Sequence, residues 1–312
     1  MRLLEWLVWS WFGLQATVLA QNLYDSDPHI IELTPKSFDK VVHGTNYTTL
    51  VEFYAPWCGY CQQLKGIMKK AGKVLDGVAQ VASVNCDVAK NKKLCGQYKV
   101  QGFPTLMVFR PPKVDVSKPV SERLQLRNHA SEVYQGVRKL SPMVDFVLSR
   151  IKNYVRRING TGKLCSILEG QGRKSLVLFS KRDKVSPIYR AVALDWLGVF
   201  DCFTIPNSKL SGLAEDNQLA TTNPQISQFL QETIPLQMTS EESMLVAFDT
   251  ANDQYQVIQC DSFTKPQISR ALSAAFNVTP MEGPLSKREQ YLHALRTGSK
   301  KSQPAKKIHD EL

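Results

Sequence analysis

Leu50-Val51-Glu52-Phe53-Tyr54-Ala55-Pro56-Trp57-Cys58-Gly59-Tyr60-Cys61 reads as a buried strand running into the first turn of a helix, with two cysteines at that turn. Beyond it, apolar residues fall at Leu64, Met68, Ala71 and Leu75, a helical stripe that also contains Cys61. The spacing therefore predicts Cys61 on the buried face and Cys58 at the exposed helix N-terminus. Residues three apart on a helix are neighbours, so the two sulfurs can close a small disulfide ring. The N-terminal end of a helix carries partial positive charge and unpaired N–H groups, which favour a thiolate over a thiol. A zinc half-site or a static bridge are the other uses of such a pair. Zinc would want two further ligands at matching spacing, and the chain has no second Cys-x-x-Cys. The strand-to-helix context points to redox chemistry.

At Val51-Glu52-Phe53-Tyr54-Ala55-Pro56-Trp57-Cys58-Gly59-x-Cys61 the chain resembles the active-site signature of the protein disulfide isomerases, a family with the thioredoxin fold, and especially its small fungal type with one catalytic domain. The family usually has His where this chain has Tyr60, Lys at Gln62 and a kinking Pro at Gly66. These departures leave the fold untouched and bear on redox poise, with Gly59 and Tyr60 as the modulating pair between the cysteines. The resemblance implies Cys58 as nucleophile and Cys61 as resolving thiol, with no cofactor and no metal.

The 312 residues are enough for two domains, and 43% hydrophobic with 21% charged residues describes a folded globular chain. Residues 1–20 carry Arg2, a Leu/Trp/Val-rich run and small residues up to Ala20, the pattern of a secretory signal peptide; an uncleaved anchor helix is the alternative. His309-Asp310-Glu311-Leu312 is a retention signal for the endoplasmic reticulum. That lumen is oxidising, so cysteine pairs persist as disulfides there. Sequons at Asn46, Asn159 and Asn277 are expected glycosylation sites. The net charge of +11 is concentrated at Lys152, Arg156 and Arg157 and at Lys300, Lys301, Lys306 and Lys307, read as solvated faces and a basic tail. A lumenal compartment excludes nucleic acid, and no span is expected after signal cleavage.

The order of elements fits an α/β fold class of two tandem thioredoxin-like domains, each a mixed central sheet with helices on both faces. Strands are expected at Ile30–Leu33, 50–54, Val78–Asn85, Thr105–Phe109 and Glu132–Gly136. Helices are expected after Thr34-Pro35, after Cys58, over Lys90–Tyr98 and from Ser141-Pro142. Residues 111–130 are expected as a surface loop. The division is a signal peptide at 1–20, a catalytic domain at 21–158, a linker at 159–162, a second domain at 163–278 and a basic, mostly disordered tail at 279–312. In the second domain Lys181-Arg182-Asp183-Lys184 stands where a Cys-x-x-Cys would be, so it resembles the redox-inert b-type domains of the family.

Glu52 lies in a nearly all-apolar strand, so its carboxyl is either on a solvent face or buried near Cys61. The resemblance implies the second, as the acceptor of the Cys61 proton. It also implies that a lysine often found near this glutamate is replaced here by Ser83. The same resemblance makes Phe103-Pro104 a cis pair against the cysteines that, with Trp57, contacts substrate, and makes Arg138 a mobile stabiliser of the buried thiolate; a surface Arg is the alternative for Arg138. Cys86 and Cys95 are expected as a structural disulfide, with two free thiols as the alternative, and Cys165, Cys202 and Cys260 are left as an odd number. The expected partners are unfolded or misoxidised secretory proteins, a thiol oxidase of the endoplasmic reticulum and the retrieval receptor for the C-terminal signal. A monomer is expected. A client-binding chaperone or adaptor with a secondary Cys-x-x-Cys is the competing function.

Overall fold

The computed structural model describes residues 22–115, 129–170, 174–213, 218–258 and 264–297. The leader at 1–20, most of the 111–130 loop, Cys260 and the C-terminal retention signal lie outside the described residues.

The first sheet has the order β1-β3-β2-β4-β5, formed by β1 (Ile31–Glu32), β2 (Thr49–Tyr54), β3 (Gln80–Asn85), β4 (Thr105–Arg110) and β5 (Ala130–Val133). β1 and β2 run parallel to β3, and β4 runs antiparallel to both β2 and β5. Period-2 alternation sends Leu50, Val81 and Val108 to one face and Val51, Phe53, Ala82 and Phe109 to the other, with a separate apolar cluster on each. On the first face lie α2 (Gly59–Leu75) and α4 (Leu140–Ser149). On the second lie α1 (Pro35–Phe38), which continues as a π turn to His43, and α3 (Lys92–Gln97). Met143 and Val147 supply the buried stripe of α4 as expected, but that helix ends at Ser149, so Ile151 and Tyr154 lie beyond it.

The second unit repeats the topology. Its sheet has the order β10-β9-β7-β8-β6, from β6 (Arg156–Arg157), β7 (Lys174–Ser180), β8 (Phe200–Pro206), β9 (Met244–Asp249) and β10 (Gln254–Ile258). Among its helices are α5 (Thr161–Glu169), α6 (Pro187–Asp195), α7 (Leu219–Thr222), α8 (Pro224–Met238) and α9 (Lys265–Phe276). Two expected boundaries move. Arg156 and Arg157 pair with Phe203 and Thr204, so the edge of the second sheet lies inside the stretch expected for the first domain. Residues 159–162 are not a free linker, because Gly160, at φ 108°, caps α5, which starts at Thr161. Cys165 and Cys202 are both buried thiols in the clusters on opposite faces of this sheet, which rules out a bond between them.

The expected disordered tail needs a larger correction. Residues 281–297 fold back onto the first unit, ending in α10 (Lys287–Thr297). Leu292 is buried, and Tyr291 and Leu295 join the cluster containing Ile31, Leu33, Val41 and Val42. Arg288 donates to the carbonyls of Lys40, Val41 and Gly44, the acceptors left over where the first helix ends. The C-terminal segment also carries Glu282, whose carboxylate accepts from the Thr45 hydroxyl and the Asn46 N–H.

These contacts belong to a buried polar joint between the two units. Tyr47 donates to Asp195, and Lys265 makes an ion pair with Asp195 at 2.7 Å and donates to the Gly77 carbonyl at 2.6 Å. Asp195 is fully buried and Lys265 nearly so, so each needs the other. A Cβ at Gly283 would stand 2.2 Å from the Asp195 carboxylate, and its φ of +71° also demands glycine. Of the three expected glycosylation sites, Asn46 is 2% exposed within this joint, whereas Asn159 and Asn277 are exposed.

A buried leucine in α10 predicts a measurable core contribution. Leu292→Ala is expected to lower the stability of the first unit by about 2–4 kcal/mol in urea unfolding. A loss below about 0.5 kcal/mol, the usual range for a solvent-exposed residue, would contradict the docking of this helix.

Candidate active site

The end of β2 and the start of α2 place the two cysteines. Cys58 is the N-cap of α2 with extended backbone (φ −74°, ψ 115°), and its carbonyl accepts the first helical bond, from Gln62 N–H at 3.1 Å. Cys61 is fully buried one turn inside the helix. Cys58 is more enclosed than its N-terminal position predicts, at 8% exposure, because Phe103 packs against it. Its Sγ lies 3.5 Å from the Phe103 carbonyl oxygen, and the Phe103–Pro104 peptide is cis. Trp57 is 67% and Tyr60 69% exposed, and Trp57 meets Phe103 edge-on at 6.1 Å. The sulfur is thus rimmed by exposed aromatic surface, while the Trp57 indole N–H is tied to Asp87 at 3.1 Å. Gly66 stands in a continuous helix with open space around it, and Gln62 donates to the Pro56 carbonyl.

Beneath the helix, Glu52 has no exposed surface. The two sequence readings of this residue resolve in favour of burial. Its Oε2 accepts a hydrogen bond from the Tyr24 hydroxyl, and its Oε1 has no partner. Burial pushes the carboxyl up to about 7; the Tyr24 hydrogen bond and the Arg138 charge oppose the rise, and the Glu32 charge adds to it. Burial likewise pushes the Cys61 thiol up to about 12, with the neighbouring Cys58 thiol and the Glu52 charge contributing. The Cys61 thiol and the Glu52 carboxyl thus lie close enough to feel each other's charge.

Arg138 reaches this site from the loop after β5. Its guanidinium donates to the Pro104 carbonyl at 3.0 Å, next to the cis peptide, and its charge is felt at Glu52. The loop is shaped by Gly136, where a Cβ would stand 2.6 Å from the Tyr134 hydroxyl, itself donating to the Val137 carbonyl. Cys86 and Cys95 are joined as a disulfide with Cα atoms 6.0 Å apart, tying the end of β3 to α3. Closing so short a loop stabilises by about 2–3 kcal/mol on the chain-entropy account. Among the described residues no group of three or more His, Cys, Asp or Glu side chains is placed to hold a metal ion. In the second unit the equivalent strand end runs into the exposed residues 181–184, with no thiol there.

Residues 29–132 match the Thioredoxin family. Over 293 residues the chain is 53% identical to protein disulfide-isomerase MPD1 of Saccharomyces cerevisiae, covering 94% of this chain and 91% of that protein. The chain belongs to the protein disulfide isomerase family. It is a thiol-disulfide oxidoreductase. Protein disulfide-isomerase A6 of Mesocricetus auratus is 40% identical over 179 residues, 56% of this chain and 36% of that one. A crystal structure of ERdj5 superposes over 80% of this chain and 30% of its own length with a TM-score of 0.54 at 18% identity, a likeness of fold.

Sequence reasoning missed Tyr24, Tyr54 and Glu32 as part of this site. Tyr54 and Glu32 share the period-2 face of Glu52, which was the available signal. Tyr24 sits in a loop before the first strand, where no pattern marks it.

The raised carboxyl carries a stability signature. Because the folded-state value lies above the unfolded one, the protonated group's contribution is fully present below about pH 4.3 and is lost as pH rises to about 7. Glu52→Gln is therefore expected to stabilise the protein by about 3 kcal/mol at pH 8 and by almost nothing at pH 4, read from urea midpoints at both values. Equal stability of the two proteins at pH 8 would show that this carboxyl is not held protonated by burial.

Proposed function

We propose that this protein works in the lumen of the endoplasmic reticulum, forming, reducing and rearranging disulfides in secretory proteins at Cys58-Gly59-Tyr60-Cys61. The observation that carries the chemistry is a helix-capping Cys58 beside a buried Cys61 and a buried, proton-affine Glu52. The compartment rests on the leader-like composition of residues 1–20 and on His309-Asp310-Glu311-Leu312.

In oxidation, a client thiolate attacks Cys58 Sγ, the Cys58–Cys61 bond breaks, and Cys61 leaves as a thiolate that takes a proton from Glu52. The second client thiolate then attacks the mixed disulfide and releases Cys58 with the electron pair, so that two electrons pass from client to enzyme. In reduction or rearrangement the order reverses. Cys58 attacks a client disulfide, and Cys61 gives its proton to Glu52 as it attacks Cys58 and expels the client thiol. Arg138 supplies positive charge beside the thiolates, and the Trp57, Tyr60 and Phe103 surface receives the client chain, with the Phe103 backbone pairing with it. An oxidase of the same compartment would restore the disulfide, and the retrieval receptor would return the protein. Where an imidazolium at the Tyr60 position would stabilise the reduced pair, the neutral phenol leaves this couple a weaker oxidant.

The division of labour between the thiols is testable by trapping. A Cys61→Ala variant incubated with a scrambled-disulfide client is expected to accumulate mixed disulfides through Cys58, detected by non-reducing gels and peptide mapping. Cys58→Ala is expected to accumulate none. Trapping through Cys61 in the Cys58→Ala protein would reverse the assignment.

A further inference from the structure

Glu52 is not the only carboxyl beneath α2. The register of the first sheet places Glu32, Ser83 and Glu52 side by side on three adjacent strands, β1, β3 and β2. Ser83 lies between the two carboxyls. Its hydroxyl donates to Glu32 Oε2 at 2.8 Å, and the Tyr54 hydroxyl donates to Glu32 Oε1 at 3.0 Å. The Tyr54 oxygen is itself an acceptor for the Leu23 N–H, which fixes the direction of its own proton toward Glu32. The Tyr24 hydroxyl gives its single proton to Glu52.

We propose that Glu32 is a positioning residue for thiol-disulfide exchange: the Glu32 and Glu52 carboxyls act as a coupled pair in which negative charge on Glu32 keeps an exchangeable proton on Glu52. The hydrogen bonds assign the roles. Burial pushes the Glu32 carboxyl up to about 7 as well, but it is partly exposed and receives two hydroxyl donors that oppose the rise and favour its charged form. Glu52 is fully buried, receives one donor, and has Oε1 left over as the position for a proton. The groups facing Glu52 are Tyr24 from the N-terminal segment, Cys61 from α2, Arg138 from the loop after β5, and Glu32 across β3. Glu32 faces Ser83, Tyr54, the Asn85 backbone, Asp25 and Tyr24. Arg138 is the cation acting on Glu52, and its opposing effect is smaller than that of Glu32. With a hydroxyl at Ser83, like-charge repulsion between the carboxyls goes uncompensated there, and Glu52 exchanges its proton nearer neutrality than burial alone would set.

The inference rests on the role proposed for Glu52, and two separate measurements distinguish their failures. Full-length protein labelled with 13C at glutamate carboxyls is titrated by NMR, with Glu52→Gln assigning the resonance. In the unsubstituted protein the Glu52 signal should show two steps shared with Glu32, the mark of coupled sites. In Glu32→Gln it should collapse to one step, displaced downward by about one pH unit, and Glu32→Asp, which keeps the charge, should restore most of the displacement. A Glu52 midpoint that stays within about 0.3 pH unit in Glu32→Gln overturns the proposal. If that variant does not fold, a single independent Glu52 step in the unsubstituted protein overturns it equally. A Glu52→Gln enzyme whose Cys61 resolves mixed disulfides at the original rate would instead remove the role assigned to Glu52, whatever the titration shows.

Discussion

A carboxyl with no exposed surface, placed under a helix that carries a buried thiol, is the interaction on which the active site depends. Neither group is comfortable when charged: burial raises the carboxyl to about 7 and the thiol to about 12. In the proposed mechanism the two act together, because Cys61 has to lose its proton during one step of the reaction and Glu52 is the group that takes it. Every residue of β2 is buried, and the Tyr24 hydroxyl donates to the carboxyl and holds it in place. Cys58 caps the helix against the Phe103 carbonyl, the position from which the proposed mechanism has it meet the client.

The second constraint is the joint between the two units. Asp195 and Lys265 come from the second unit and Tyr47 from the first, and all three are buried together. Removing Asp195 or Lys265 would strand the other's charge, so the joint is specific about partner and orientation even where its net contribution to stability is small. The returning C-terminal segment closes it, with Glu282 on the Thr45–Asn46 turn and Arg288 on the carbonyls at the end of the first helix. The second unit, held this way, is positioned relative to the Cys58 surface instead of trailing from it.

How much of this was legible depended on whether the information was local. The Cys-x-x-Cys at a strand-to-helix junction and the stripe from Cys61 to Leu75 follow from spacing, and both the helix and its buried face are where that spacing puts them. Glu52 was ambiguous because period-2 groups it with Leu50 and Tyr54 without saying which face α2 covers. The tail misled because composition alone marks residues 279–297 as polar. What orders them is a few apolar side chains of α10 and one arginine, whose acceptors lie more than 240 residues away in sequence. Asn46 shows the same limit: a sequon is a local pattern, while its burial is imposed by Glu282 and the neighbouring unit.

The central claim, that Glu52 takes the Cys61 proton, is tested most directly by one rate. Cys58 is loaded as a mixed disulfide with glutathione, and glutathione release by Cys61 is followed from pH 5 to 9 in the unsubstituted protein and in Glu52→Gln. With Glu52 as the base, release should rise through a step near pH 7, the value set by burial of the carboxyl. In Glu52→Gln that step should vanish and release at neutral pH should slow by about 100-fold, the lower end of what general base catalysis supplies. Identical rates and pH profiles in the two proteins would contradict it, leaving Cys61 to be deprotonated by water or by another group.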